Sequence, residues 1–236
     1  MEQHIVSAFT DELEQLSADL LGMGGLAEAM IRDACRAVVT RDTALAQTVI
    51  DRDAELDAQE TECEREVIRL LALRQPLAAD LRQVIGAIKL ANAIERVGDL
   101  AKNIAKRSFA ITQEDNRAAL HGVERMGQAV SRQLRIALDA YARGDAATAM
   151  SVVEQDDDID SHYNALLRSM LVYMIEDPEQ LDARSNFLFI VKNLERIGDH
   201  CSNIAKVVYF IATGEPVLSK AERRAIDAAQ SKEITS

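Results

Sequence analysis

The sequence has no tryptophan, and aromatic residues make up only 4 % of its 236 positions, so any core must be aliphatic. Glycine (10) and proline (3) are scarce, which leaves too few turn residues for a protein of many short strands. Cysteine is limited to Cys35, Cys63 and Cys201, an odd number with no C-x-x-C spacing. Such cysteines read as small core residues of a reduced, cytoplasmic protein, not as a disulfide framework. No basic n-region opens the chain, and its longest apolar runs, "FLFIV" and "VVYFIA", fall far short of a membrane span, so no direct membrane insertion is expected. Bases are outnumbered 39 to 27, a formal charge of −12. That excess argues against nucleic acid, whose binding rests on Lys and Arg neutralising phosphates, and favours cations as small partners. There is no nucleotide loop, no nucleophile elbow and no Cys/His pairing, hence no candidate catalytic residue.

What is present is a duplication. "IERVGDLAKNIAK" (94–106) returns one hundred residues later as "LERIGDHCSNIAK" (194–206). Upstream, Asp42, Asp53 and Asp57 answer Asp145, Asp156 and Asp160 at a spacing of 103, and Pro76 answers Pro178. Each copy is the size of a small domain. Apolar periodicity divides the first into segments of about 3–40, 42–74 and 77–109, and the second into about 114–143, 145–176 and 179–212. The breaks "TRD" and "RGD" offer Asp as a helix cap, whereas "RQP" and "EDP" place Pro where only a first turn tolerates it. Long helices with short joints fold back on one another. The expected fold is all-α: two tandem three-helix bundles made of six long antiparallel helices. The units span 1–110 and 111–213, and a peripheral tail spans 214–236.

Within each unit the acids fall on an apolar stripe. Residues seven apart share a helix side, so Leu81, Ile88 and Glu95 form one row, and Leu181, Leu188 and Glu195 its counterpart. Asp99 and Asn103, like Asp199 and Asn203, extend the rows by further turns, so that an amide joins the acids as a candidate metal ligand in each unit. Arg82, Lys89 and Arg96 form a separate row expected to face water. Arg96 and Arg196 adjoin the acids in sequence but point about 100° away, which makes them poor partners. Burying a carboxylate without a partner costs roughly several kcal/mol. The second helices supply Asp53 with Asp57 and Asp156 with Asp160. If these face the Glu-x-x-x-Asp pairs, four carboxylates converge per bundle and call for cations or shared protons. Oxygen donors favour hard divalent or trivalent ions, such as magnesium, calcium, manganese or iron, over a thiolate-type zinc site, and zinc on oxygen donors stays among the candidates. Gly98 and Gly198, each costing a helix about 1 kcal/mol against Ala, point to close helix packing beside the acids.

At "LRQPLAADLRQVIGAIKLANAIERVGDLAKNIAKR" (73–107), "YMIEDP" (173–178) and "NLERIGDHCSNIAK" (193–206), the chain resembles the PhoU family of regulators of bacterial phosphate uptake and signalling. The resemblance implies paired three-helix bundles, a homodimer, and metal clusters on Asp53, Asp57, Glu95 and Asp99 and on Asp156, Asp160, Glu195 and Asp199. It also implies a role without catalysis. That role is negative regulation of the phosphate-starvation response, as an adaptor between the ATPase subunit of the phosphate ABC transporter and the sensor histidine kinase PhoR. Ala93 stands where many relatives carry another acid, which implies weaker metal binding in the first unit. Two other classes stay open: a carboxylate-bridged di-metal enzyme, from which the absence of any Glu-x-x-His detracts, and a metal-free helical scaffold.

Overall fold

The computed structural model describes residues 2–111, 117–176 and 181–218, and among these residues it contains helices and no strand. Helices α1 (Glu2–Thr40), α2 (Thr43–Arg74) and α3 (Ala78–Ser108) form the first bundle. The second comprises α4 (Arg117–Arg143), α5 (Ala146–Glu154), α6 (Asp156–Glu176) and α7 (Leu181–Thr213). Five of the six expected rods are unbroken. The fifth is interrupted at Gln155, whose backbone turns through φ −82, ψ 0 and splits it into α5 and α6 just before the acidic run. Pro178, the segment 112–116 and the tail beyond Leu218 lie outside the described residues, as does the side chain of Leu181.

The joints follow the capping chemistry. Asp42 accepts the Leu45 amide at 2.9 Å, and Asp145 accepts those of Ala147 and Thr148 at 3.1 and 3.0 Å. Each joint also places one residue in the left-handed region: Gly144 at φ 62, where glycine is unstrained, and its counterpart Arg41 at φ 56, where a Cβ is penalised. At the other end of the first hairpin, the "RQP" joint uses Gln75 in the same region and buries Pro76.

The core is aliphatic. Leu20, Met30 and Leu56 fill the first bundle with Leu90 and Ile94, and Phe187 is the largest wholly enclosed side chain among the described residues. The three cysteines are free and buried. Burial pushes the Cys35 thiol up to about 12 and that of Cys63 to about 11, so neither ionises near neutrality.

The bundles pack through α1 against α4 and α3 against α7. A Cβ on Gly24 would overlap the Leu138 side chain. A Cβ on Gly127 would lie 2.5 Å from Cys35 Sγ. The spacing of 103 carries Gly24 to Gly127 and Cys35 to Leu138, so these are one contact made twice with the roles exchanged. The α3–α7 seam behaves alike: Gly86 receives Ile211 and Val207, and at the matching positions Arg107 donates to Asn186 Oδ1 at 3.0 Å. A pseudo-two-fold axis therefore relates the repeats, as in an isologous dimer fused into one chain.

Candidate functional site

Residues of α2 and α3 build the first acidic site. Gly98 brings the helices together there, because a Cβ at that position would occupy the space of Leu56 Cδ2. This close approach sets Asp53 on α2 opposite Asp99 on α3. The space between them holds the Lys102 ammonium, 2.5 Å from Asp53 Oδ2 and 2.5 Å from Asp99 Oδ1. Asp53 and Glu95 are buried at 8 % and 9 % exposure. Asp53 Oδ1 has no hydrogen-bond partner among the described residues. Burial raises the Glu95 carboxyl well above its usual range, and the Asp99 charge adds to this. Burial opposes ionisation of Asp99 too, yet the Lys102 hydrogen bond and charge hold it below the usual range. Lys102, in turn, is pushed up to about 12: burial works against its charge, but its bonds to Asp53 and Asp99 outweigh that.

The second site uses α6 and α7. Gly198 again permits close packing, with a Cβ there 3.0 Å from Ile159 Cγ2, and Ile159 is the counterpart of Leu56 (56 + 103 = 159). The charges are arranged differently. Lys192 Nζ lies 2.6 Å from both oxygens of Glu195, at the edge of the cluster. Among the described residues, no ion pair reaches Asp156, Asp160 or Asp199. Burial raises the Asp156 carboxyl to about 6, with the charges of Asp199 and Asp160 adding to the shift. Asp199 is also raised, by burial and then by Asp160. Ser202, at the position matching Lys102, is 1 % exposed, and its hydroxyl has no partner among the described residues.

The structure thus brings Asp53 to Asp99 through Lys102, with Asp57 within electrostatic reach of both, sets Glu95 against Asp99, and brings Asp156 to Asp160 and Asp199. Asp57, Asp160, Asn103 and Asn203 sit exposed at the rims of these sites. Among the described residues, no three His, Cys, Asp or Glu side chains close around one point as a finished metal cage would. Two sequence expectations need correction. Arg96 does reach the acids, with Nε 3.4 Å from Glu95 and Nη1 3.3 Å from Asp99, because a long side chain crosses the angle that its Cα–Cβ vector sets. Arg82 does not stand in water: it is half-buried against the end of α7 at Gly214. Sequence reasoning missed Lys102. The signal was available, because position 102 is seven residues after Glu95 and three after Asp99, on the same helix side.

With the duplication and its paired acids in place, comparison with known proteins becomes decisive. The family model described as "PhoU domain" matches twice, over residues 20–108 and 123–208. The chain belongs to the PhoU family. A curated relative from Caulobacter vibrioides, described as a "Phosphate-specific transport system accessory protein PhoU homolog", is 44 % identical, covering 93 % of this chain and 96 % of its own. One of the same description from Rhizobium meliloti is 45 % identical, covering 89 % and 90 %. The crystal structure of PhoU from Pseudomonas aeruginosa superposes with a TM-score of 0.84 at 38 % identity, covering 88 % of this chain and all of that one. The phosphate transport system regulatory protein PhoU from Streptococcus pneumoniae gives 0.82 at 30 % identity, covering 89 % and all of its chain. The all-α architecture is thus that of PhoU proteins, and the two matches fall on the two bundles.

Proposed function

We propose that this protein is a non-catalytic accessory regulator of phosphate-specific transport that restrains the phosphate-starvation response. In this reading it works as a cytoplasmic homodimer, as an adaptor between the ATPase subunit of the phosphate ABC transporter and a sensor kinase of the PhoR type. The observation that carries the reading is the match, over nearly the whole chain, to relatives named as accessory proteins of phosphate-specific transport. Regulation through protein contacts fits the surface. Leu77, the residue that caps α3, and Leu81 and Ile85 in its first turns are exposed, as is Leu73 near the end of α2, and Leu77 is 78 % exposed. None of the described helices is long and apolar enough to cross a membrane, so contact with the transporter would be made from outside the bilayer.

We also propose a hard divalent or trivalent metal ion as part of the working protein. What supports this is that, among the described residues, Asp156, Asp160 and Asp199 make no direct ion pair, with Lys206 acting on Asp156 and Asp199 only through its charge, together with the buried, unpartnered Ser202 hydroxyl beside them in sequence. Asp156, Asp160, Glu195 and Asp199 would hold the ion, with Asn203 at the rim. When bound, the ion would neutralise their charge and cross-link α6 to α7.

Deletion of the gene in phosphate-rich medium tests the regulatory reading. A phosphate-scavenging reporter is expected to rise, and deletion of the partner kinase as well is expected to silence it. A reporter that stays low in the single deletion refutes regulation. One that stays high in the double deletion refutes action through the kinase.

A further inference from the structure

The two repeats share their acids, but their lysines are exchanged. In the first, Lys102 stands three residues after Asp99, and Asn92 stands three before Glu95. In the second the order is reversed, with Lys192 three before Glu195 and Ser202 three after Asp199. Lys192 reaches Glu195 from the edge of its site and leaves 46 % of its side chain in solvent. Lys102 enters the middle of its own, 18 % exposed, and bridges α2 to α3 through Asp53 and Asp99. Asn92 is turned outward and donates to Glu60 at 3.2 Å.

We propose that Lys102 is the built-in cation of the first repeat, holding the place between α2 and α3 where a metal ion would otherwise sit, so that metal binding falls to the second repeat alone. This deepens the metal reading above and rests on it. The ammonium satisfies one oxygen of each aspartate, and a metal ion brought to the same oxygens would face a fixed positive charge only a few ångströms away. Like charges this close repel strongly at the effective dielectric of a partly buried site. Lys102 cannot step aside cheaply, because leaving would strand Asp53, whose other oxygen already has no hydrogen bond among the described residues. Ser202 is neutral, so the second repeat has no such occupant. The sites would therefore divide the work: the first keeps a fixed ammonium between Asp53 and Asp99, while the second gains its cation only when metal is present and so can report its concentration.

The test uses full-length protein stripped with a chelator and titrated with Mn²⁺, with bound ions counted from the loss of the free-ion electron-spin resonance signal. Wild type is expected to bind Mn²⁺, and Asp199→Asn to abolish that binding. Lys102→Ser is expected to bind at least one ion more per chain than wild type, and adding Asp53→Asn to remove the gain. The proposal is overturned if Asp199→Asn retains an ion that Asp53→Asn then removes with Lys102 in place. It is equally overturned if folded Lys102→Ser binds no more than wild type. Should Lys102→Ser fail to fold by circular dichroism, the Asp199→Asn protein decides alone: no bound Mn²⁺ supports the proposal, and a retained ion sensitive to Asp53→Asn sinks it. Wild type that binds nothing while Lys102→Ser gains an ion would retire the metal reading of the second repeat and uphold the assignment of Lys102.

Discussion

An ammonium fixed 2.5 Å from each of two carboxylates is a permanent counter-charge, and the second repeat has none in the matching place. The consequence at Asp156 is a pH dependence of definite sign. Burial, with Asp199 and Asp160 nearby, raises its carboxyl from the ordinary 3.8 to about 6. A group raised in the fold stabilises it fully below the ordinary value and loses that contribution as pH rises through the folded one. In the presence of chelator, the melting temperature of wild type relative to Asp156→Asn should therefore fall between pH 4 and pH 7. The change should be on the order of 1 kcal/mol after solvent screening, or a few degrees. Mn²⁺ at pH 7 should restore wild type and not the variant. A difference between the two proteins that does not change with pH would show that neither burial nor the neighbouring acids raise Asp156. The acids themselves were legible in the sequence, because repetition on an apolar stripe singles them out. Their compensation was only half legible: the spacing puts Lys102 on the side of the acids, but a lysine inside a run of helix formers reads equally as a solvated residue. The packing of α2 on α3 decides between the two by turning its amine inward.

Helices were the most legible level, since apolar periodicity sustained over about thirty residues fits a long amphipathic helix and little else. Gly98 and Gly198 also announced their purpose, for each stands where an apolar side chain of the preceding helix presses against the backbone. The interruption at Gln155 was not legible. Nothing in "VVEQDDDID" breaks a helix as proline would, and three consecutive aspartates are as compatible with a helix start as with an exposed face. The paired glycines yield a differential prediction. In Gly98→Ala the new methyl collides with fully buried Leu56, and overpacking outweighs the gain of about 1 kcal/mol in helix propensity. A net loss of about 1–2 kcal/mol is expected. In Gly198→Ala the contact with Ile159 Cγ2 is 3.0 Å, tight but open to a small adjustment, so the two effects nearly cancel. Urea denaturation of the two variants should rank them in that order. Equal losses would mean that the helix pairs are equally tight and that the lysine exchange is not accompanied by a difference in packing.

For the whole molecule, the exchanged contacts Gly24 with Leu138 and Gly127 with Cys35 matter most. They lie on α1 and α4, and each is a small residue that admits a large one from the other repeat, so neither bundle has a finished surface on that side. Cys35 and Leu138 are 5 % and 7 % exposed only because the other repeat covers them. The α3–α7 seam adds Gly86 under Ile211 and the Arg107 bond to Asn186. Two units that each leave one apolar face uncovered when alone behave as one cooperative block, and a helix bundle of about a hundred residues has too narrow a stability margin to forgo that burial. Intact protein should therefore unfold in a single transition, with far-UV circular dichroism and a buried-thiol reagent at Cys35 and Cys201 reporting the same midpoint. Residues 1–111 expressed alone should lack a cooperative melt, or else pair with a second copy through the α1 and α3 faces that the second repeat normally covers. Two resolved transitions in the intact chain, or a monomeric first repeat that melts near the full-length midpoint, would mean that the repeats are independent domains. In that case a metal ion closing α6 on α7 would have no route through packing to the first bundle. A single transition means that tightening the second site stabilises both, which gives a regulator a way to carry one bound ion across its whole contact surface.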